Sequence, residues 1–159
     1  MRKISVLFFI LLNFFLHAGF LKAETKTPAN FLLTKEAPAA SPYYKKMLEP
    51  GISNPEKIKM QYLIDRIRRS EYTFMRNGVS YPAGRAAIHI TWKMQRKGSR
   101  IKTARQFIDE IASNSSMSGA EYLVIVEKDI TYPMHDVLSN ELELLETKIE
   151  HSSSVDPSS

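Results

Sequence analysis

The stretch YTFMRNGVSYPAGRAAIHITWKM, residues 72–94, decides the fold class of this chain. Asn77 and Gly78 both tolerate positive φ, so the apolar runs 72–76 and 79–81 on either side read as a hairpin closed by a two-residue turn. Pro82 then opens a helix, because its fixed φ suits the first turn and its missing N–H is not needed there. Within that helix Ala83, Ala86, Ala87, Ile90 and Met94 form one stripe, and Ile88 with Trp92 forms another on the opposite side. Two stripes predict a helix covered on two sides. Gly98 suits the left-handed cap position at its end.

Upstream, Asn54 is an N-cap with Pro55 at the first helical position. Met60, Leu63, Ile64 and Ile67 follow at core spacing, which predicts a helix to about Ser70. Downstream, Thr103 and Gln106 form a capping box ahead of Phe107, Ile108 and Ile111, which predicts a short helix ending near Ser113. A polar loop, 113–119, leads to the β-branched run 122–126, a turn at 127–129, and 130–132 pairing back. Pro133 opens a last helix carrying Val137, Leu138, Leu142, Leu145 and Ile149. The order helix, hairpin, Tyr-Pro, helix thus occurs twice, at Tyr81-Pro82 and Tyr132-Pro133. Little else aligns between the halves, so coincidence is the simpler reading. The expectation is one small α+β domain over 55–150, with about four helices and one or two short β-hairpins.

The flanks read differently. Met1, Arg2 and Lys3 precede an almost wholly apolar run, 4–21, and Ala23 is a plausible cleavage point. Residues 1–23 therefore read as a signal peptide, or as a retained anchor if the imperfect site is not cut. Either outcome places the folded part outside the cytoplasm, and cleavage leaves no membrane span. Residues 24–54 contain Pro28, Pro38, Pro42 and Pro50 and an Ala-rich stretch without period, and read as a mostly extended linker. Phe31, Leu32, Leu33, Tyr43, Tyr44 and Met47 are available in it for local docking. The Ser-rich residues 151–159 should fray.

Composition narrows the chemistry. The 159 residues are 43% hydrophobic and 25% charged, ordinary globular values that exclude collagen, wholesale disorder and a multi-span membrane protein. With no cysteine, a disulfide framework, a thiolate metal site and a cysteine nucleophile are all excluded. Losing Arg2, Lys3 and Lys22 with the leader reduces 22 bases to 19 against 17 acids, a mature net charge of +2. Nucleic acid is therefore disfavoured as a partner. The charge is unevenly placed, however. Residues 56–105 hold 13 Lys or Arg and 3 Asp or Glu, and residues 106–151 hold 2 and 10. The simplest reading is that basic and acidic helices neutralise one another; the alternative is an anion-binding surface.

Four spaced motifs carry a family likeness: Phe74-Met75-Arg76-Asn77-Gly78; Ala86-Ala87-Ile88-His89-Ile90 with Lys93; Arg100-Ile101-Lys102-Thr103-Ala104 with Phe107-Ile108; and Ile111-Ala112-Ser113 to Ser118-Gly119 with Tyr122. In this order they resemble the YfeK-like family of small exported bacterial proteins, over about 57–145. The resemblance implies an exported, soluble or periplasmic protein, and no activity, cofactor or catalytic residue. Some members carry a cysteine near the position of Ala83 and a glycine-containing turn near Lys128. This chain has neither, which argues against a thiol-based role and a tight second hairpin.

His89 and Lys93, four residues apart on one helix flank, could form an acid/base or anion-binding pair, the lysine lowering the imidazole pKa. A half-buried, hydrogen-bonded structural histidine is the blander alternative. Ser113, Ser115, Ser116 and Ser118 form a hydroxyl-rich loop, and a serine activated by His89 or Lys93 would make a small hydrolase. No G-x-S-x-G elbow, phosphate loop or dinucleotide fingerprint accompanies them. Asp109 and Glu110 diverge around their helix, and the mature histidines His89, His135 and His151 lack ligand spacing, so no metal or cofactor is expected. The binding candidates are Arg76, Asn77, His89, Lys93, Ser115, Ser116 and Ser118. The expected function is a noncatalytic binding or interaction module, periplasmic or secreted. Its expected partner is an envelope protein or an anionic envelope component, and the hydrolase is the alternative.

Overall fold

Capping chemistry sets where the helices begin. A computed structural model describes residues 26–154; the expected leader and residues 155–159 lie outside them. Helix α1 is Pro42–Met47, with the Ser41 side chain accepting from the Tyr43 N–H. Helix α2, Pro55–Arg69, starts where Asn54 Oδ1 accepts the Lys57 N–H at 3.0 Å. Strands β1, Thr73–Arg76, and β2, Val79–Pro82, are joined through Asn77 at φ 50° and Gly78 at φ 75°, the two positive values such a turn requires. Helix α3 is Ala83–Lys97. Helix α4, Ala104–Phe107, carries both halves of the Thr103–Gln106 capping box and runs into a π-helical turn, Ile108–Ala112. Strands β3, Leu123–Glu127, and β4, Ile130–Pro133, precede helix α5, Met134–Ser154.

Both hairpins form, and they join; contrary to expectation the second is tight too, Glu127 pairing with Ile130 across Lys128 and Asp129, with a bulge between Ile125 and Glu127 in place of a glycine at positive φ. The sheet order is β2-β1-β3-β4, antiparallel throughout, with β1 paired to β3 from Thr73↔Ile125 to Met75↔Leu123. The register aligns Tyr81, Phe74, Val124 and Tyr132 across one face, and of these Phe74, Val124 and Tyr132 are buried. Helix α2 packs on α3, α4 and α5, contributing the fully buried Tyr62, Leu63 and Ile67. The fold is α+β, with five α-helices and one four-stranded sheet among the described residues.

Beyond this hairpin, the structure differs from the sequence-based expectation in four further places. Residues 26–54 are not a mostly extended linker. They contain a 3-10 turn, Pro38–Ala40, and α1, and they bury Leu33 and Tyr44. The Leu33 end of this segment is held by a buried carboxylate on α5, which periodicity does not reveal, and Tyr44 is held separately, its hydroxyl donating to the Lys148 carbonyl at 3.3 Å. Glu141, fully buried, accepts the Leu33 N–H at 2.8 Å, the Tyr62 hydroxyl at 2.9 Å, and Arg66 through Nε at 2.9 Å and Nη2 at 3.0 Å. Arg66 also donates to the Glu36 and Thr34 carbonyls. Burial and the Glu141 charge hold the Tyr62 phenol well above its ordinary pKa.

Second, α3 is covered on one side only: Ile88 is 69% exposed and Trp92 50%. Third, α3 does not stop on a left-handed Gly98 but continues as a 3-10 turn, Gly98–Arg100. Fourth, α5 does not fray at His151 but runs to Ser154, the Ser152 hydroxyl lying 2.6 Å from the Tyr44 hydroxyl. Among the described residues no helix is long and apolar enough to cross a membrane.

Candidate functional site

Helix α3 and the turn after it place His89, Trp92, Lys93, Arg96, Lys97 and Arg100 at steps of three and four, so they share one flank. The tip of the β1–β2 hairpin and the serine loop close over that flank. Arg76 Nη1 donates to His89 Nδ1 at 3.2 Å, and His89 Nε2–H donates to the Tyr122 hydroxyl at 3.3 Å. Because guanidinium can only donate, Nδ1 must accept, which assigns the neutral Nε2–H tautomer. Burial, then the cations Arg76 and Lys93, keep the imidazole below its usual pKa.

Lys93 is buried and directs its ammonium to the Ile111 and Asn114 carbonyls, both at 2.6 Å, and to the Tyr122 hydroxyl at 3.4 Å. It thereby serves carbonyls left open where the π-helical turn ends. Burial, then Lys97 and Arg76, push its pKa down to about 8. Asn77 ties the hairpin to the serine loop: its Nδ2 donates to Ser115 Oγ at 3.4 Å and its Oδ1 accepts from Ser118 Oγ at 2.7 Å. Ser113 Oγ donates to the Ile108 carbonyl. Hydrogen bonds thus run from Arg76 to His89, Tyr122 and Lys93 in turn, and join Asn77 to both Ser115 and Ser118. Ser116 is exposed on the same loop. Among the described residues no serine hydroxyl is bonded to His89 or Lys93, so a nucleophile–base pair is not assembled in this geometry.

Two hollows meet at this bridge. One, of about 390 Å³, is largely apolar, with Phe74, Tyr81, Ile88, Ile90 and Met134 in its walls. The other, of about 610 Å³, is cationic, with Lys93, Arg96, Lys97 and Arg100 beside Ser115 and Ser116, and no carboxylate lines it. Arg76, His89, Trp92 and Tyr122 border both. Arg96 lies over the Trp92 ring, 4.6 Å from its centroid.

The charge asymmetry of the chain is resolved in one place and persists in another. Basic α2 and acidic α5 do neutralise one another, through Arg66–Glu141 and Lys59–Glu146. Near the cationic hollow, Lys97 approaches Glu110 only to 3.7 Å.

The profile described as "Family of unknown function (DUF5329)" matches residues 54–146, which span every residue of this bridge. The chain belongs to the DUF5329 family. A relative from Salmonella typhimurium, "Uncharacterized protein YfeK", is 40% identical over 73 residues, 45% of this chain and 61% of that protein. The chain therefore spans less than two thirds of that relative's length. No solved structure matches.

Sequence reasoning missed Trp92, Arg96, Lys97 and Arg100 as neighbours of His89, although continuing the i, i+3, i+4 pattern from His89 reaches all four. Tyr122 had no such signal. It lies 33 residues from His89, and sheet pairing brings it there. In this DUF5329 chain the arrangement can seat an apolar group and an anion side by side.

Proposed function

We propose that the protein is exported to the bacterial envelope and acts there as a noncatalytic binding module, holding an anionic envelope component or a partner protein at the groove beside His89. The groove carries this reading. It joins an apolar hollow to a cationic one, while His89, Lys93, Ser113, Ser115 and Ser118 are engaged in bonds that hold the walls together. The leader-like residues 1–23 support export. The hydrolase alternative requires a serine hydroxyl within reach of His89 Nε2 or Lys93 Nζ, and those donors are directed at Tyr122 and at backbone carbonyls.

Expression of the full chain in a bacterial host, followed by fractionation and mass spectrometry, tests the first half. The expected product begins at Glu24 and is released with the periplasmic fraction. An intact Met1 in the membrane fraction would mean an anchor, and retention in the cytoplasm would end the envelope reading. Screening the purified protein against ester and phosphoester substrates tests the second half. Turnover that His89→Ala abolishes without loss of fold would make the protein a hydrolase.

A further inference from the structure

Five large apolar side chains stand out as exposed among the described residues: Leu48, Val79, Ile88, Trp92 and Met117. All but Leu48 border the groove or its hairpin wall. Ile88 and Trp92 line the apolar hollow, Met117 lines the cationic one, and Val79 is the register partner of Arg76. Scattered apolar exposure needs no explanation, but concentration around one recess marks a binding surface. Beyond the rim the recess divides by chemistry. The apolar hollow, at about 390 Å³, is within the about 300–1,000 Å³ range of small-ligand pockets, and Met75 and Met134 give it adaptable walls. On the other side, Arg96, Lys97 and Arg100 are exposed and face a hollow that no carboxylate lines.

Resting on the binding reading above, we infer that the groove takes one amphipathic anion: an apolar chain lies between Tyr81, Ile88 and Met134, and a phosphate or carboxylate head meets Arg96, Lys97 and Arg100. Charge complementarity selects the head, since an anion there meets several cations on a wall without a carboxylate, and Glu110, which lies outside that wall, reaches Lys97 only at 3.7 Å. The shared border of Arg76, His89, Trp92 and Tyr122 sets the two halves within one molecule's reach. Lys93 stays on its carbonyls and acts as a positioning residue, fixing the serine loop against α3.

Trp92 is the single tryptophan of the chain and borders both hollows, so its fluorescence reads the groove directly. The purified full chain is titrated with decyl phosphate and with decanoate below their micelle concentrations, and with inorganic phosphate and neutral decyl maltoside. The expected result is saturable change with at least one decyl anion, and at least about tenfold weaker binding of phosphate and of maltoside. Comparing the two decyl anions identifies the preferred head. The double substitution Lys97→Glu with Arg100→Glu should weaken decyl-anion binding at least about tenfold, as should added salt. Ile88→Asp should weaken it similarly, and because Ile88 is exposed the thermal melt should not move.

Phosphate binding as tightly as decyl phosphate would reduce the groove to an anion site and overturn the inference. Maltoside binding as tightly would reduce it to an apolar patch, with the same consequence. Response to anionic vesicles but to neither monomeric anion would mean a surface-docking face instead. Release of inorganic phosphate during the titration would overturn the noncatalytic reading rather than the ligand class.

Discussion

Glu141→Leu removes the carboxylate that organises the N-terminal segment. Glu141 is fully buried, and the Arg66 side chain it neutralises is only 4% exposed. The substitution leaves Arg66 buried with the Glu36 and Thr34 carbonyls alone, and leaves the Leu33 N–H and Tyr62 hydroxyl without their acceptor. Breaking a buried pair from one side costs about 3–5 kcal/mol, mostly through the stranded charge. That is a large part of the about 5–15 kcal/mol that a small domain has in total. With a urea slope of about 1–3 kcal/mol per molar, the unfolding midpoint should fall by about 2 M. Trypsin should also cut faster after Lys35, whose segment is tied down through Leu33. Adding Arg66→Met should return much of the loss, because two apolar residues then replace the pair and no charge is stranded. A single variant that loses less than about 1 kcal/mol would refute this account, as would a double variant no more stable than the single.

Gly78→Val should destabilise by about 1–2 kcal/mol through positive φ alone, since a Cβ there meets nothing within 4 Å; an unchanged urea midpoint would remove strain as the reason for glycine. Gly84 also has open space but no positive φ, so Gly84→Ala in the first turn of α3 should stabilise by about 0.5 kcal/mol in the same assay. The folded-state pKa of His89 lies below the usual 6.5, so its contribution to stability is complete above pH 6.5 and is lost as pH falls through the folded value. Imidazole proton NMR should show that low midpoint, and Arg76→Gln should raise it. Lys93, lowered from 10.5 to about 8, should make stability rise between pH 8 and 10.5, a rise that Lys93→Met removes in urea melts taken across that range.

Caps and turns in this protein were legible because their causes are local. Asn54 reaches Lys57, Thr103 reaches Gln106, and Asn77-Gly78 is its own turn; each signal and its structure lie within four residues. The same is true of the buried face of α2, where Met60, Leu63, Ile64 and Ile67 repeat at helical period. His89 and Lys93 were legible as neighbours for that reason too, one helical turn apart. What they bond to was not. Pairing of β1 with β3 joined two hairpins with residues 83–122 between them, and no residue in either strand names its partner. That pairing and the loop before it placed Tyr122 between the His89 ring and the Lys93 ammonium. Likewise, residues 26–54 have neither strand nor sustained helical period. Their order comes from distant groups on α5: Glu141, 108 residues from Leu33 and 75 from Arg66, with Asn140 on Pro28 and Lys148 and Ser152 on Tyr44. Local sequence determined the elements and their ends, because backbone caps, turns and periodic faces act over a few bonds. Only the closed tertiary structure decided the groove, because a buried carboxylate, a cross-hairpin strand pair and a bridging tyrosine have no consequence until distant segments meet.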